Sequence, residues 1–326
     1  MQLYQPRPRP DADGPRLAGG WLRFDRVTIL ERGAPPRDVA PGDLPPEALD
    51  RLIAPRAPLA GLTMDAPRIM GIVNVTPDSF SDGGRYLRPD AARARAEAME
   101  AADILDIGGE STRPGATEVP ADEEIARIAP VVVALRGRRI SIDTRKAAVA
   151  RAALEAGAAI VNDVSALTFD AGMASTLAGS DAPLILMHAQ GAPETMQDDL
   201  RYGDVVHDVY EALAARVAAA EAAGIARDRL VVDPGIGFGK TLAHNLALLR
   251  RIGAFHGLGL PILLGASRKR FVGTIGGAEA ADARMPGTLA VTLAAVAQGV
   301  QIHRVHDVAE IAQGLALWRA VTEEEP

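Results

Sequence analysis

Ten polar side chains fall at or just beyond the ends of short apolar runs: Asn74, Asp106, Asp143, Asn162, Asp163, His188, Asp233, Ser267, Arg304 and His306. A single Asp or Asn in such a place usually caps the helix that follows. Ten in one chain point beyond capping. Side chains two apart on a strand share a face, so Ser141 with Asp143, Ile160 with Asn162, Val231 with Asp233, and Arg304 with His306 can be aimed at one place. A carboxylate buried there without a partner is penalised by far more than a helix cap gains. Asp143 and Asp233 therefore require donors: Lys269, Arg304, or a ligand that presents N–H groups.

The stretch Met70-Gly-Ile-Val-Asn-Val-Thr-Pro-Asp-Ser-Phe-Ser-Asp-Gly-Gly84 runs an apolar strand into a loop dense in oxygen ligands and hydroxyls, suited to an anion or a metal. Asp233-Pro-Gly-Ile-Gly-Phe-Gly-Lys-Thr241 looks like a nucleotide loop but lacks P-loop spacing, because Pro234 stands five positions before Gly239. Its glycines suit close approach of backbone to a flat ligand, with Phe238 beside it. His303 and His306 are three apart on a strand and face opposite ways, which argues against a zinc site. A hard cation such as Mg²⁺, held by Asn74 and substrate phosphate oxygens, fits better. The chain has only three lysines among its 35 Lys and Arg residues, so Lys269 stands against a strong preference for arginine. Lys146 and Lys240 stand against it too, with no chemistry evident from the sequence.

The elements that must position these residues alternate β-branched runs with Ala-, Leu- and Glu-rich segments, the mark of parallel βα units. Strands are predicted at 68–75, 104–109, 139–144, 160–165, 184–188, 230–234, 261–266 and 301–306. Helices are predicted at Ala91–Ala102, Asp122–Leu135, Asp204–Ala223 and Asp307–Val321, among others. Eight such units match a (β/α)8 TIM barrel, whose polar residues gather at the C-terminal ends of the strands. A doubly wound sheet would want Gly-x-Gly-x-x-Gly after the first strand, where this chain has Asn74-Val-Thr-Pro-Asp78.

Twelve of the 23 prolines lie in residues 1–67, so residues 1–66 read as a proline-rich, partly irregular N-terminal extension rather than a second core, and 67–326 as the barrel. Trp21–Leu30 within the extension reads as a strand or as half of a hairpin. A net charge of −7 argues against a nucleic-acid surface, and the absence of cysteine excludes a disulfide framework. No stretch reaches the ~18 apolar residues of a membrane span, and the N-terminus lacks a signal-peptide h-region, which points to the cytoplasm.

The strand-1 loop, Gly109-Glu-Ser-Thr-Arg-Pro-Gly115, Ser141-Ile-Asp-Thr144, Asn162-Asp-Val-Ser165, Asp233 to Gly239, Ser267-Arg-Lys269 and Arg304-Val-His306 occur in an order that closely resembles the dihydropteroate synthase family, over roughly residues 68–321. The resemblance implies a transferase of folate biosynthesis. It would condense 6-hydroxymethyl-7,8-dihydropterin pyrophosphate with p-aminobenzoate, with Mg²⁺ as cofactor, and would be a homodimer and a sulfonamide target. It assigns Asp143, Asn162, Met187, Asp233, Lys269 and Arg304 to the pterin, and Asn74, Thr112, Arg304 and His306 to pyrophosphate, with Asn74 also on the metal. Phe80, Arg113, Pro114, Phe238, Lys269 and Arg270 would frame p-aminobenzoate, and Asp78 and Ser79 would help order their loop. Asn74, Asp143, Lys269, Arg304 and His306 carry the catalysis in this reading.

Two positions depart from the family pattern: Ala189-Gln-Gly191 follows His188 where Met-Gln-Gly is common, and Arg270 stands where a small hydroxyl residue is frequent. Two other readings stay open at this point. One is a methyltetrahydrofolate:corrinoid methyltransferase, which would have to explain Ser267-Arg-Lys269 and Arg304-Val-His306. The other is a paralogue that binds pterin without chemistry.

Overall fold

The computed structural model describes residues 1–9, 11–75, 89–111, 116–191 and 200–322, with backbone alone at 89–92. Eight parallel strands form a nearly closed, TIM-like barrel: β4 (Arg68–Asn74), β5 (Ile104–Gly108), β6 (Ile140–Asp143), β7 (Ile160–Asp163), β8 (Leu184–Met187), β9 (Leu230–Asp233), β10 (Leu263–Leu264) and β11 (Ile302–Val305). They pair in the order β10-β11-β4-β5-β6-β7-β8-β9. Between β9 and β10 the contact shrinks to one bridge, Val232 to Ile262, with Val232 N–H donating to Pro261 O at 3.0 Å. Pro261 has no N–H to give the ladder, so β10 is shorter than the predicted 261–266. The other seven strands begin and end within two residues of their predicted bounds.

Strand parity sorts the side chains. Met70, Ile104, Ile160, Ile185, Val231, Leu263 and Ile302 form a buried apolar cluster at the N-terminal end of the barrel. Residues one position off in register, such as Val73, Ile107, Ile142, Val161, Leu186 and Val232, pack instead against the helices in the main core. The strands are buried on both faces, which is why they read as nearly continuous apolar runs.

The helices include α2 (Pro89–Glu97), α3 (Ala121–Ala134), α4 (Ala147–Ala156), α5 (Gly172–Ala178), α6 (Val205–Ala222), α7 (Leu242–Arg250), α8 (Arg270–Gly276), α9 (Met285–Val296) and α10 (Val308–Thr322). Local chemistry sets several ends. Asp204 caps α6 by accepting from Val206 N and His207 N at 3.0 and 3.2 Å, and Thr241 caps α7 through His244 N.

The N-terminal residues form a three-stranded antiparallel sheet, β1 (Gln2–Pro8), β2 (Phe24–Glu31) and β3 (Arg37–Val39), followed by α1 (Pro46–Ile53). The predicted strand at Trp21–Leu30 corresponds to β2. The sequence suggested no core here, yet Leu17, Ala18, Phe24, Val27, Ile29, Leu44 and Leu52 pack together. Further along, Leu59 and Met64 join the apolar cluster at the barrel's N-terminal end, 3% and 2% exposed.

Candidate active site

Moving two residues along each strand from the apolar ring changes the chemistry of the barrel interior. Ile104 gives way to Asp106, Ser141 to Asp143, Ile160 to Asn162, Ile185 to Met187, Val231 to Asp233 and Ile302 to Arg304, with Asn74 at the end of β4. Asp143, Asn162, Met187 and Asp233 are all buried. Arg304 spans two carboxylates, its Nε donating to Asp106 Oδ2 at 2.5 Å and its Nη2 to Asp143 Oδ2 at 2.7 Å. Asn162 Nδ2 donates to Asp106 Oδ2 at 3.3 Å. Asp106 Oδ1, Asp143 Oδ1 and Ser141 Oγ are buried without a hydrogen-bond partner among the described residues. An N–H-rich ligand is the chemistry that would satisfy them.

Burial pushes the Asp143 carboxyl up to about 7; Arg304 opposes the shift and Asp106 adds to it. Desolvation lowers the Arg304 pKa, but Asp106 and Asp143 outweigh it and hold the guanidinium charged. Burial likewise raises Asp233, against the pull of the Gly235 N–H and Lys269.

The loop after β9 is built around close contacts. Asp233 Oδ1 accepts from Gly235 N at 2.7 Å. Gly235 has φ +66°, and a Cβ there would lie 1.9 Å from His188 O, so only glycine fits. Lys269 Nζ donates to Ile236 O and lies 4.3 Å from the centroid of the Phe238 ring, a cation–π geometry. Desolvation lowers Lys269 to about 7, with Asp233 working against it. Lys240, which the sequence left without chemistry, is also buried. Its Nζ lies 3.0 Å from His188 Nδ1 and donates to His188 O, Gly235 O and Phe238 O at 3.2, 2.9 and 3.0 Å. Burial and Lys240 together push His188 down to about 3, so its imidazole is neutral.

His306 and Ser267 meet at the ends of neighbouring strands, Ser267 Oγ lying 3.0 Å from His306 Nδ1. Lys269 occupies the N-cap position of α8. Arg270 is exposed on the first turn of that helix. Asn74 is partly buried beside Gly108. Phe80, Asp78, Ser79, Thr112, Arg113 and Pro114 lie outside the described residues. The structure therefore brings Asp143, Asn162, Met187, Asp233, Lys269, Phe238 and Arg304 to one end of the barrel, with Asn74, Ser267 and His306 at neighbouring strand ends. Arg270 is set apart by its exposure. Among the described residues no three His, Cys, Asp or Glu side chains assemble into a metal cage. The donor set suits a cation that takes one amide oxygen from the protein and the rest from a phosphorylated ligand.

Sequence reasoning gave no role to Asp106 as Arg304's second partner, nor to a buried ionic group beside the site. In that group Lys146 Nζ bonds Glu110 Oε2 at 2.7 Å and Glu124 Oε2 at 2.8 Å, and Arg145 Nη2 bonds Glu110 Oε1 at 3.1 Å. Strand parity with Ile104 was a signal for Asp106. No local pattern marked the ionic group, whose bonded partners are 22 to 36 positions apart.

Comparisons with known proteins agree with this geometry. The family described as "Pterin binding enzyme" matches residues 70–306. The dihydropteroate synthase of Neisseria meningitidis serogroup B is 48% identical over 267 residues, covering 79% of this chain and 94% of the relative. Two solved structures of dihydropteroate synthase from Xanthomonas albilineans align along the barrel. One, with 4-aminobenzoic acid, has a TM-score of 0.77 at 47% identity and covers 83% of this chain and 99% of its own. The other, in complex with 7,8-dihydropteroate, has a TM-score of 0.74 at 42% identity and covers 83% and 100%. With the family match spanning most of the chain and these relatives aligned along nearly their whole length, the chain belongs to the pterin-binding dihydropteroate synthase family.

Proposed function

We propose that this barrel end joins 6-hydroxymethyl-7,8-dihydropterin pyrophosphate to p-aminobenzoate, releasing pyrophosphate and 7,8-dihydropteroate. The observation that carries the reading is the Asp106–Arg304–Asp143 group, in which both carboxylates are buried and the guanidinium partly so. It leaves carboxylate oxygens without partners where an amino-pyrimidinone edge presents N–H donors. Asp143, Asn162, Asp233 and Lys269 bind and orient the pterin, with Met187 and Arg304 against its faces. Thr112, Arg304 and His306 hold the pyrophosphate. Phe80, Arg113, Pro114, Phe238 and the first turn of α8 at Arg270 frame p-aminobenzoate, while Asp78 and Ser79 order the loop after β4. Asn74 suits a Mg²⁺ that takes its remaining ligands from pyrophosphate and water, and such an ion would neutralise charge on the leaving group.

In the reaction the arylamine nitrogen bonds to the pterin methylene as the methylene–oxygen bond breaks. The bonding pair of that bond leaves with pyrophosphate, and the amine then sheds one proton. In this reading Arg304 and His306 act where negative charge grows on the leaving group, and pre-aimed charge is commonly the largest catalytic contribution. Positive charge on the methylene spreads into the pterin ring, where Asp143 favours it. The arylamine is neutral at pH 7 and needs no strong base, which accounts for a site without a Ser-His-Asp arrangement. Placement and exclusion of water do the rest.

This reading treats residues 1–66 as an extension on a (β/α)8 catalytic barrel of residues 67–326. It takes the chain to be a cytoplasmic homodimer, which sedimentation of the purified protein would check. The function itself is tested by incubating the protein with both substrates and Mg²⁺. Dihydropteroate and pyrophosphate should appear in equal amounts and cease in excess chelator. Undiminished turnover under chelation would remove the metal from the scheme, and absence of product would overturn the reading.

A further inference from the structure

Between β10 and α8 the chain passes through a strained residue. Arg268, flanked by Ser267 and Lys269, has φ +57°, in the left-handed region that a side chain disfavours. Three contacts from other elements hold it there. Arg268 N donates to Thr288 Oγ1 on α9 at 3.0 Å, and Arg268 O accepts from Arg284 Nη1 at 2.9 Å. The guanidinium grips Asp307 with two bonds, Nε donating to Oδ2 at 2.9 Å and Nη2 to Oδ1. Asp307 directly follows His306. One residue before Arg268, Ser267 Oγ lies 3.0 Å from His306 Nδ1 and accepts from His306 N at 3.1 Å.

The side chains of Arg268 and Asp307 are 29% and 11% exposed, and an ion pair so close to water adds little to stability. What a bidentate pair does supply is direction, since two parallel bonds fix how the two groups are oriented. Here it joins the ends of the neighbouring strands β10 and β11, and each partner stands next to a residue assigned to substrate. Lys269 belongs to the pterin and His306 to the pyrophosphate. The left-handed turn at Arg268 lets Ser267 meet His306 while Lys269 reaches Ile236 O. Strain kept at such a turn by three outside contacts points to a geometry that function requires.

We propose that Arg268 and Asp307 are positioning residues that hold Lys269 and His306 in register, so that the pterin methylene and its departing pyrophosphate are aligned for displacement. The proposal rests on the function proposed above, which gives Lys269 and His306 those roles. Capture of the pterin ring draws also on Asp143, Asn162 and Asp233, which stand on other strands and do not touch the pair.

Steady-state kinetics on Arg268→Gln, Asp307→Asn and the double variant test it, alongside calorimetry with 6-hydroxymethylpterin, which lacks the pyrophosphate. Asparagine serves as well as aspartate just ahead of a helix, so Asp307→Asn cuts the charge pair and spares the start of α10. Each single variant should lose about ten- to a hundredfold in kcat, the scale of a small misplacement at a reacting centre, while its affinity for 6-hydroxymethylpterin stays within about twofold. The double variant should be no slower than the slower single variant, because the two residues act as a unit. Parental kcat in the single variants, losses that multiply in the double variant, or a fall in pterin affinity equal to the fall in kcat would overturn the proposal. If Arg268→Gln does not fold, a folded Asp307→Asn protein with parental kcat has the same force. A parent protein that makes no dihydropteroate would instead sink the functional reading.

Discussion

Each of the chain's three lysines sits where a compact ammonium meets acceptors from several directions. Lys146 bridges two carboxylates, Lys240 faces three carbonyls and an imidazole nitrogen, and Lys269 lies between Ile236 O and the Phe238 ring. A planar guanidinium cannot aim its protons that way, which accounts for lysine in a chain otherwise written with arginine. The composition bias marked Lys269 in the sequence but gave the other two no role. Their partners are backbone carbonyls and side chains brought together by folding, as with His188, 52 positions from Lys240. Asp143 yields a prediction at the same scale. Burial lifts its pKa to about 7, so in the free protein it takes up a proton as pH falls below 7, and a pterin N–H edge requires the ionised form. Pterin affinity should therefore weaken between pH 7 and pH 5, and Asp143→Asn should flatten that slope while lowering affinity throughout. Calorimetry at several pH values checks this; a parent protein with constant affinity over that range would contradict it.

Strand parity was legible residue by residue. Asp143, Asn162, Asp233 and Arg304 sit two positions beyond Ser141 or an apolar residue that the alternation also turns inward, and the barrel brings all four to one end. Less legible was how loops meet. The Gly-rich run after β9 read as a place for a flat ligand, but its first demand is internal, since Gly235 packs against His188 O of the preceding connection. A Gly235→Ala protein would put a methyl into that carbonyl and strain a left-handed backbone, at about 1–3 kcal/mol for the strain alone. Denaturant unfolding should report at least that loss. Pterin binding should fall as well, because Gly235 N–H is the partner of Asp233 Oδ1. Parental stability and parental affinity together would mean that the loop is not set by this contact.

Across the whole molecule, the eight-stranded architecture followed from the count and spacing of apolar runs, whereas the part played by the N-terminal residues did not. Proline content suggested irregular chain, and the partners that order it lie far off in sequence. Gln5 Nε2 donates to Arg250 O at 3.1 Å, and Leu59 and Met64 pack on the strand residues at the barrel's N-terminal end. Leu59→Ala should destabilise the protein by about 2–5 kcal/mol, as for other buried leucines, while leaving the opposite, polar end chemically intact. Thermal unfolding together with substrate KM values would show it, and a loss of activity without a loss of stability would contradict the division of labour between the two ends. The central claim, that the polar end of the barrel is a pterin site, is tested most directly by calorimetric titration of a 6-hydroxymethylpterin ligand into the parent and Asp233→Ala proteins. The account predicts one site per chain in the parent and its loss in a variant whose circular dichroism and melting curve show an intact fold. Equal affinity in the two proteins would contradict it.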